Sequence, residues 1–198
     1  MYKKRYIFPK RILDIVFSLL VIILIMSWLV PLAAIIIYFE SGENIFFTQK
    51  RIGKNGKAFK IYKFKSMKGI SPVNDPLLSI DEEARITKFG KFIRKYRIDE
   101  FPQFFNVLKG EMSIVGPRPE RQFFLDHIII YIPKYKELLN LKPGITSLGQ
   151  IKYGYADNLE QMLKRARYDL IYLDNLNFWT DIKVILSTIV VVFQGKGR

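Results

Sequence analysis

The chain has 198 residues and no cysteine, which excludes disulfides, thiolate metal sites and a cysteine nucleophile. Lys and Arg number 32 against 18 Asp and Glu, a net charge of +14 that suits an anionic partner: nucleic acid, an anionic lipid surface or a phosphate-bearing substrate. The length fits one domain plus one membrane element.

Residues 15–39 carry no charge, yet basic clusters flank them: Lys3, Lys4, Arg5, Lys10 and Arg11 before, and Lys50, Arg51, Lys54, Lys57 and Lys60 after. A run of about 25 apolar residues is long enough to cross a bilayer, so a kinked spanning helix is the generic expectation. Loops rich in Lys and Arg stay on the cytoplasmic side, however, and here both flanks are basic. Pro31 removes a backbone hydrogen bond inside the run. A segment that dips into the membrane, breaks near Ser27–Pro31 and returns to its own side satisfies all three facts. A cleaved signal peptide fits poorly, because the apolar run exceeds the usual h-region and no small-residue cleavage site follows.

Farther along, Ile45–Gln49 and Ala58–Phe64 are β-prone and rich in aromatics. Gly53-Lys54-Asn55-Gly56 between them contains Asn-Gly, a strong turn signal, and predicts a hairpin. Ser71–Ser79, with two prolines and an Asn-Asp pair, reads as a loop. The period over Ile86–Ile98 predicts a helix with Ile86, Phe89, Phe92, Ile93 and Tyr96 on one face and Lys88, Lys91, Arg94 and Lys95 around the other. Such a basic amphipathic helix suits a membrane interface or the surface of a soluble domain. Phe104–Leu108 reads as a short helix and Leu159–Tyr172 as a helix with its charges on one side. Thr180–Phe193 reads as a helix opened by a Thr-Asp cap and too short to span. The single histidine, His127, beside an apolar run, is given no catalytic role.

Chemistry concentrates in three places. Asp99-Glu100 ahead of Phe101-Pro102 reads as a helix start, with Asp99 as the cap; an ionised carboxylate there also serves as a nucleophile or a Mg²⁺ ligand. In Gly116-Pro117-Arg118-Pro119-Glu120 two prolines restrict the backbone around Arg118, which suits fixed phosphate binding; an ordinary turn with an exposed Arg is the bland alternative. Arg94, five residues before Asp99, offers a second phosphate contact. Lys142-Pro143-Gly144-Ile145-Thr146 reads as a turn with a basic residue at its start. Two carboxylates, several fixed cations and a nearby membrane together fit phosphoryl transfer onto a lipid phosphate.

Taken in order, Lys10-Arg11-Ile12-Leu13-Asp14, Phe46-Phe47-Thr48-Gln49-Lys50-Arg51-Ile52-Gly53, Ile61-Tyr62-Lys63-Phe64-Lys65-Ser66-Met67, and the string from Arg85 to Glu120 with its Asp99-Glu100 and Pro117-Arg118-Pro119, followed by Lys142-Pro143-Gly144-Ile145-Thr146, resemble the bacterial monotopic phosphoglycosyl transferases, also called bacterial sugar transferases. The resemblance runs from about residue 10 to the end of the chain. It implies a mostly α fold with a small β-hairpin, an N-terminal re-entrant helix-break-helix and interfacial amphipathic helices. Residues 1–40 are then the basic segment and re-entrant membrane helix, and residues 41–198 a membrane-apposed catalytic domain on the cytoplasmic face of the bacterial inner membrane. The implied reaction moves a sugar-1-phosphate from a UDP-sugar to a polyprenol phosphate, usually undecaprenyl phosphate, and releases UMP through a covalent phospho-sugar enzyme. Asp99 is the implied nucleophile and Glu100 the implied Mg²⁺ ligand, with Asp99 a further ligand; Arg94 and Arg118 are expected at the phosphates. Lys63 and Gln103, within the matching segments, join them as substrate-binding candidates. Two departures stand out. Ser27-Trp28 occupies the place of the family's helix-breaking Ser-Pro, with Pro31 one turn later. Ser147 and Lys152-Tyr153-Gly154-Tyr155-Ala156 replace a Gly and an Asn-Gly-Arg-Asn stretch, so an arginine expected near the donor is missing. A nucleic-acid partner is not expected, homodimerisation is left open, and a transferase that moves only the sugar and releases UDP is the runner-up.

Overall fold

The computed structural model describes residues 2–69, 84–154, 156–195 and 197; the loop expected at Ser71–Ser79 lies outside them. The uncharged run and the residues that flank it form helix α1 (Tyr2–Val21), a π-helical turn (Ile22–Met26) and helix α2 (Ser27–Ser41). Over Tyr6–Ser41 this is one helix, apolar and long enough to cross a membrane. One face is buried, at Asp14, Ser18, Val21, Met26, Leu29, Ala33 and Ile37. The spacing is three or four residues except from Val21 to Met26, where the π turn falls. The wide turn absorbs one extra residue, so the same face meets the rest of the protein on both sides of it. Ser27 and Pro31, the expected place of a break, both lie inside α2; the departure from α geometry comes earlier, in the π turn. Pro31 offers no N–H to the Ser27 carbonyl and its ring crowds that oxygen. The Trp28 indole N–H donates to the Leu24 carbonyl within the wide turn, at 3.0 Å.

Both halves of this helix are docked. Tyr6 and Lys10 bond the Asp181 carboxylate. Arg11 donates to the carbonyls of Val107 and Leu108 at 2.6 and 3.0 Å, and Asp14 accepts from the Ile114 N–H at 3.0 Å. At the far end the Glu40 carboxylate accepts from the Phe89 N–H at 3.2 Å, and Glu43 pairs with Lys65. Between these anchors Val21 and Met26 pack with Phe104, Val115, Tyr172 and Val184, while Leu29, Ala33 and Ile37 pack with Phe64 and Ile93. The opposite face exposes Phe8, Leu20, Ile23, Leu24, Trp28 and Phe39. Ala33 has no exposed surface, so Ala33→Leu overfills its cluster, at about 1–3 kcal/mol. Melting in detergent is expected to show a lower Tm with unchanged helix content.

The hairpin pairs β1 (Phe46–Ile52) with β2 (Ala58–Phe64), register Phe46↔Phe64 to Ile52↔Ala58, so the first strand runs three residues past Gln49. Asn55 in its turn sits at φ 58°, a left-handed conformation that asparagine tolerates. The next helix is shorter than its period: α3 spans Lys88–Lys95, capped by Thr87, whose Oγ1 accepts from the Gly90 N–H. Ile86 joins Met67 in a β-bridge instead, and Ile98 opens a 3-10 turn, so the apolar spacing at both ends serves other packing.

Helix α4 (Gln103–Lys109) leads to strand β3 (Ser113–Val115), helix α5 (Gln122–Tyr131) and a 3-10 segment over Pro133–Asn140. The Lys142–Thr146 stretch, expected as a turn, contains strand β4 (Gly144–Thr146), which pairs in parallel with β3 through Ser113↔Gly144 and Val115↔Thr146. Glycines allow the close crossing at its edge: a Cβ on Gly144 would lie 2.2 Å from the Gly116 nitrogen, and one on Gly116 2.4 Å from the Lys142 oxygen. Helices α6 (Leu148–Lys152), α7 (Leu159–Asp174) and α8 (Phe178–Phe193) complete the fold. Asn177, not Thr180, caps α8, accepting from the Thr180 N–H at 3.0 Å. Thr180 already lies in the first turn, where its N–H needs an acceptor.

Candidate active site

The end of β2 meets the link between α3 and α4. In that link Arg97 takes φ 53°, a left-handed conformation that costs a non-glycine residue about 1–2 kcal/mol. The reversal starts the 3-10 turn Ile98–Glu100, and α4 begins only after Pro102. Asp99 is therefore not a helix cap, and its carboxylate is left for other work.

Lys63 Nζ, from β2, lies 2.7 Å from Glu100 Oε1 and 3.5 Å from Asp99 Oδ2. Arg97 Nη1 lies 3.7 Å from Glu100 Oε2. Burial pushes the Asp99 carboxyl above its ordinary range; Lys63 opposes this, Glu100 reinforces it, and Arg94 and Arg97 pull down without overcoming it. Glu100 is also largely removed from solvent, but Lys63, Arg97 and Arg118 outweigh that desolvation and bring it to about 2. Neighbouring acids are thus pushed apart: Glu100 is a firmly fixed anion, and Asp99 is the more basic carboxylate and the better nucleophile. Lys63→Met removes the cation that most favours ionised Asp99. The acid limb of kcat/KM against pH is expected to move to higher pH in that variant; an unmoved limb would separate Lys63 from Asp99.

Arg118 is held from behind by α7. Its backbone N–H donates to Asp169 Oδ2 at 3.3 Å, and the other carboxylate oxygen accepts from the Gly149 N–H at 2.8 Å. Two residues on, Glu120 Oε1 meets Arg165 Nη2 at 2.6 Å, with both side chains buried. Burial pushes the Asp169 carboxyl up to about 6, against the pull of the Gly149 and Arg118 N–H groups and of Arg165. The expectation that α7 keeps its charges on one side needs correcting: Glu160, Lys164 and Arg167 are exposed, whereas Arg165 and Asp169, one turn apart, face inward, because they pair with Glu120 and the Arg118 backbone. Gln103 is buried in the first turn of α4, and His127 Nδ1 lies 2.7 Å from the Phe123 carbonyl on α5. Arg97, Arg165 and Asp169 carry no local motif that marks them in the sequence.

Among the described residues no group of three or more His, Cys, Asp or Glu gathers that could hold a metal by itself. Mg²⁺ commonly takes one or two carboxylates and completes its shell with water and substrate phosphates. The adjacent Asp99 and Glu100 carboxylates fit Mg²⁺ arriving with a diphosphate.

A sequence profile described as bacterial sugar transferase matches residues 5–195. The chain belongs to the bacterial sugar transferase family. The chain is 40% identical over 192 residues to a UDP-N-acetylgalactosamine-undecaprenyl-phosphate N-acetylgalactosaminephosphotransferase of Aeromonas hydrophila, covering 97% of this chain and 45% of the relative. It is 39% identical over 197 residues to a UDP-glucose:undecaprenyl-phosphate glucose-1-phosphate transferase of Klebsiella pneumoniae, covering 95% and 41%. Against a protein of the latter name from Caulobacter vibrioides it is 35% identical over 182 residues, covering 91% and 68%. The chain thus spans less than half the length of the first two relatives.

Proposed function

We propose that this sugar transferase moves a sugar-1-phosphate from a UDP-sugar to undecaprenyl phosphate and releases UMP. The observation that carries the reading is the pair of buried Asp99 and partly buried Glu100 under Lys63, with Arg94, Arg97 and Arg118 acting on the same carboxylates. The names of the relatives support the substrate classes, and they differ in the sugar.

In the first step an Asp99 oxygen attacks the phosphorus that bears the sugar. The bond from that phosphorus to the bridging oxygen breaks, and UMP leaves with the oxygen and its electron pair. The sugar phosphate stays on Asp99 as an acyl phosphate. In the second step a phosphate oxygen of undecaprenyl phosphate attacks the same phosphorus, and the Asp99 carboxylate departs. An anion attacking a diphosphate meets strong repulsion, and fixed cations lower that barrier. Lys63, Arg94, Arg97 and Arg118 supply such charge here. Mg²⁺, held by Glu100 with Asp99 as a further ligand, would add Lewis-acid neutralisation of the diphosphate.

Docking of the long helix supports a monotopic placement. At about 1.5 Å per residue, its 36 residues approach 54 Å, well beyond the roughly 30 Å hydrocarbon core. Both of its ends bond the catalytic part, at Asp181 and at Phe89. A crossing helix would carry one of these polar contacts through the bilayer, whereas a helix held in one leaflet keeps both on the same side, with Phe8, Ile23, Leu24 and Trp28 facing lipid. Basic flanks support a cytoplasmic position for that side. The deciding experiment is nucleotide release from a panel of UDP-sugars by the purified chain with Mg²⁺ and undecaprenyl phosphate. UMP from one donor, lost with EDTA, is expected; UDP would mean direct sugar transfer and overturn the mechanism.

A further inference from the structure

A second cationic place lies at the other end of α4. Gly110 closes that helix at φ 83°, with its bare Cα facing two side chains: a Cβ there would meet Lys142 Nζ at 3.5 Å and Arg11 Nη2 at 3.6 Å. The missing side chain leaves a notch with a cation on either wall, narrow enough for one phosphate group to touch both. Arg11 is already oriented, since it donates to the Val107 and Leu108 carbonyls. Lys142 is half-buried and has no hydrogen-bond or ion-pair partner among the described residues. Burial lowers its pKa, and the nearby charges of Arg11 and Lys54 lower it further, against the opposing pull of buried Asp14. Like charges gathered around a half-buried ammonium are costly unless an anion joins them.

The seven residues of α4, about 10 Å of helix, separate this notch from the Asp99-Glu100 link. Its neighbours point to the origin of the anion. Arg11 lies one helical turn before the uncharged run, and Phe8, Ile12 and Leu13 beside it are exposed. A soluble phosphate gains nothing from those apolar side chains, whereas a lipid fills both halves of the place, headgroup on the cations and chain against the helix. We propose that Arg11, Lys142 and the bare Cα of Gly110 form a binding notch for a lipid phosphate, separate from the carboxylate site.

The test titrates the full chain in non-ionic detergent with dioleoyl phosphatidylglycerol and, separately, undecaprenyl phosphate, counting lipid-bound protein by native mass spectrometry. Lys142→Gln is expected to weaken binding about tenfold, and Lys142→Arg to restore it to within about twofold, because the arginine keeps a charge-assisted contact. Lys136→Gln removes the same charge from an exposed position and is expected to leave binding unchanged. A Lys142→Gln loss seen with both lipids assigns the notch to lipid phosphates in general. A loss confined to one lipid assigns it to that lipid. Equal behaviour of Lys142→Gln and Lys136→Gln with both lipids overturns the notch. No readout depends on turnover, so failure of the transfer reaction and failure of the notch are distinguishable.

Discussion

Asp99→Asn is expected to abolish transfer, lowering kcat by at least about 10³-fold, because an amide cannot form the acyl phosphate. Protein retaining radiolabelled sugar phosphate after incubation with donor alone should disappear with it. Stability should hardly change. Burial disfavours the charged form of Asp99, so a neutral isostere relieves desolvation while giving up attraction to Lys63. Retained membrane association and Tm would then separate lost chemistry from lost fold. Normal turnover by this variant would remove Asp99 from the nucleophile role.

The second large effect is structural. Arg165→Met leaves Glu120 buried without its cation, at about 3–5 kcal/mol, or about 10 °C in Tm for a chain of this size. Activity should fall as well, since Glu120 ends the segment that carries Arg118 and Asp169 holds the Arg118 backbone from the same helix. Replacing both partners, as Arg165→Met with Glu120→Leu, is expected to recover most of the stability, because no unpaired charge then remains. A single variant as stable as the parent would show that solvent reaches Glu120.

Much of the fold is legible locally, and the exceptions have physical reasons. The Asn-Gly turn announces the hairpin because only a few residues tolerate the left-handed conformation that Asn55 adopts. Periodicity overreaches at Ile86–Ile98 because residues facing the core at a bridge or a 3-10 turn can share helical spacing with the helix between them. Helix α5 is mostly apolar and gives periodicity little purchase: Phe123, Phe124, Leu125, Ile128, Ile129 and Ile130 leave only a narrow polar strip at Gln122, Asp126 and His127. The β3–β4 pair consists of two three-residue strands far apart in the chain, and such short segments form only because the tertiary fold brings them together. The acidic pair and the Pro-Arg-Pro turn are visible as motifs, since they constrain neighbouring residues. Arg97, Arg165 and Asp169 are not, since each acquires its role from partners that only the folded chain supplies.

The docked N-terminal helix also orders events during synthesis. Tyr6 and Lys10 leave the ribosome well before their partner Asp181, which lies in α8, 175 residues after Tyr6. At about 5–20 residues per second, that interval is roughly 10–35 s. Over that interval Tyr6 and Lys10 lack the carboxylate they bond, whereas Ile114, which meets Asp14, and Phe64 and Ile93, which cover Ala33, are made earlier. The tie between α1 and α8 therefore closes only after the partners along the rest of the long helix have been made.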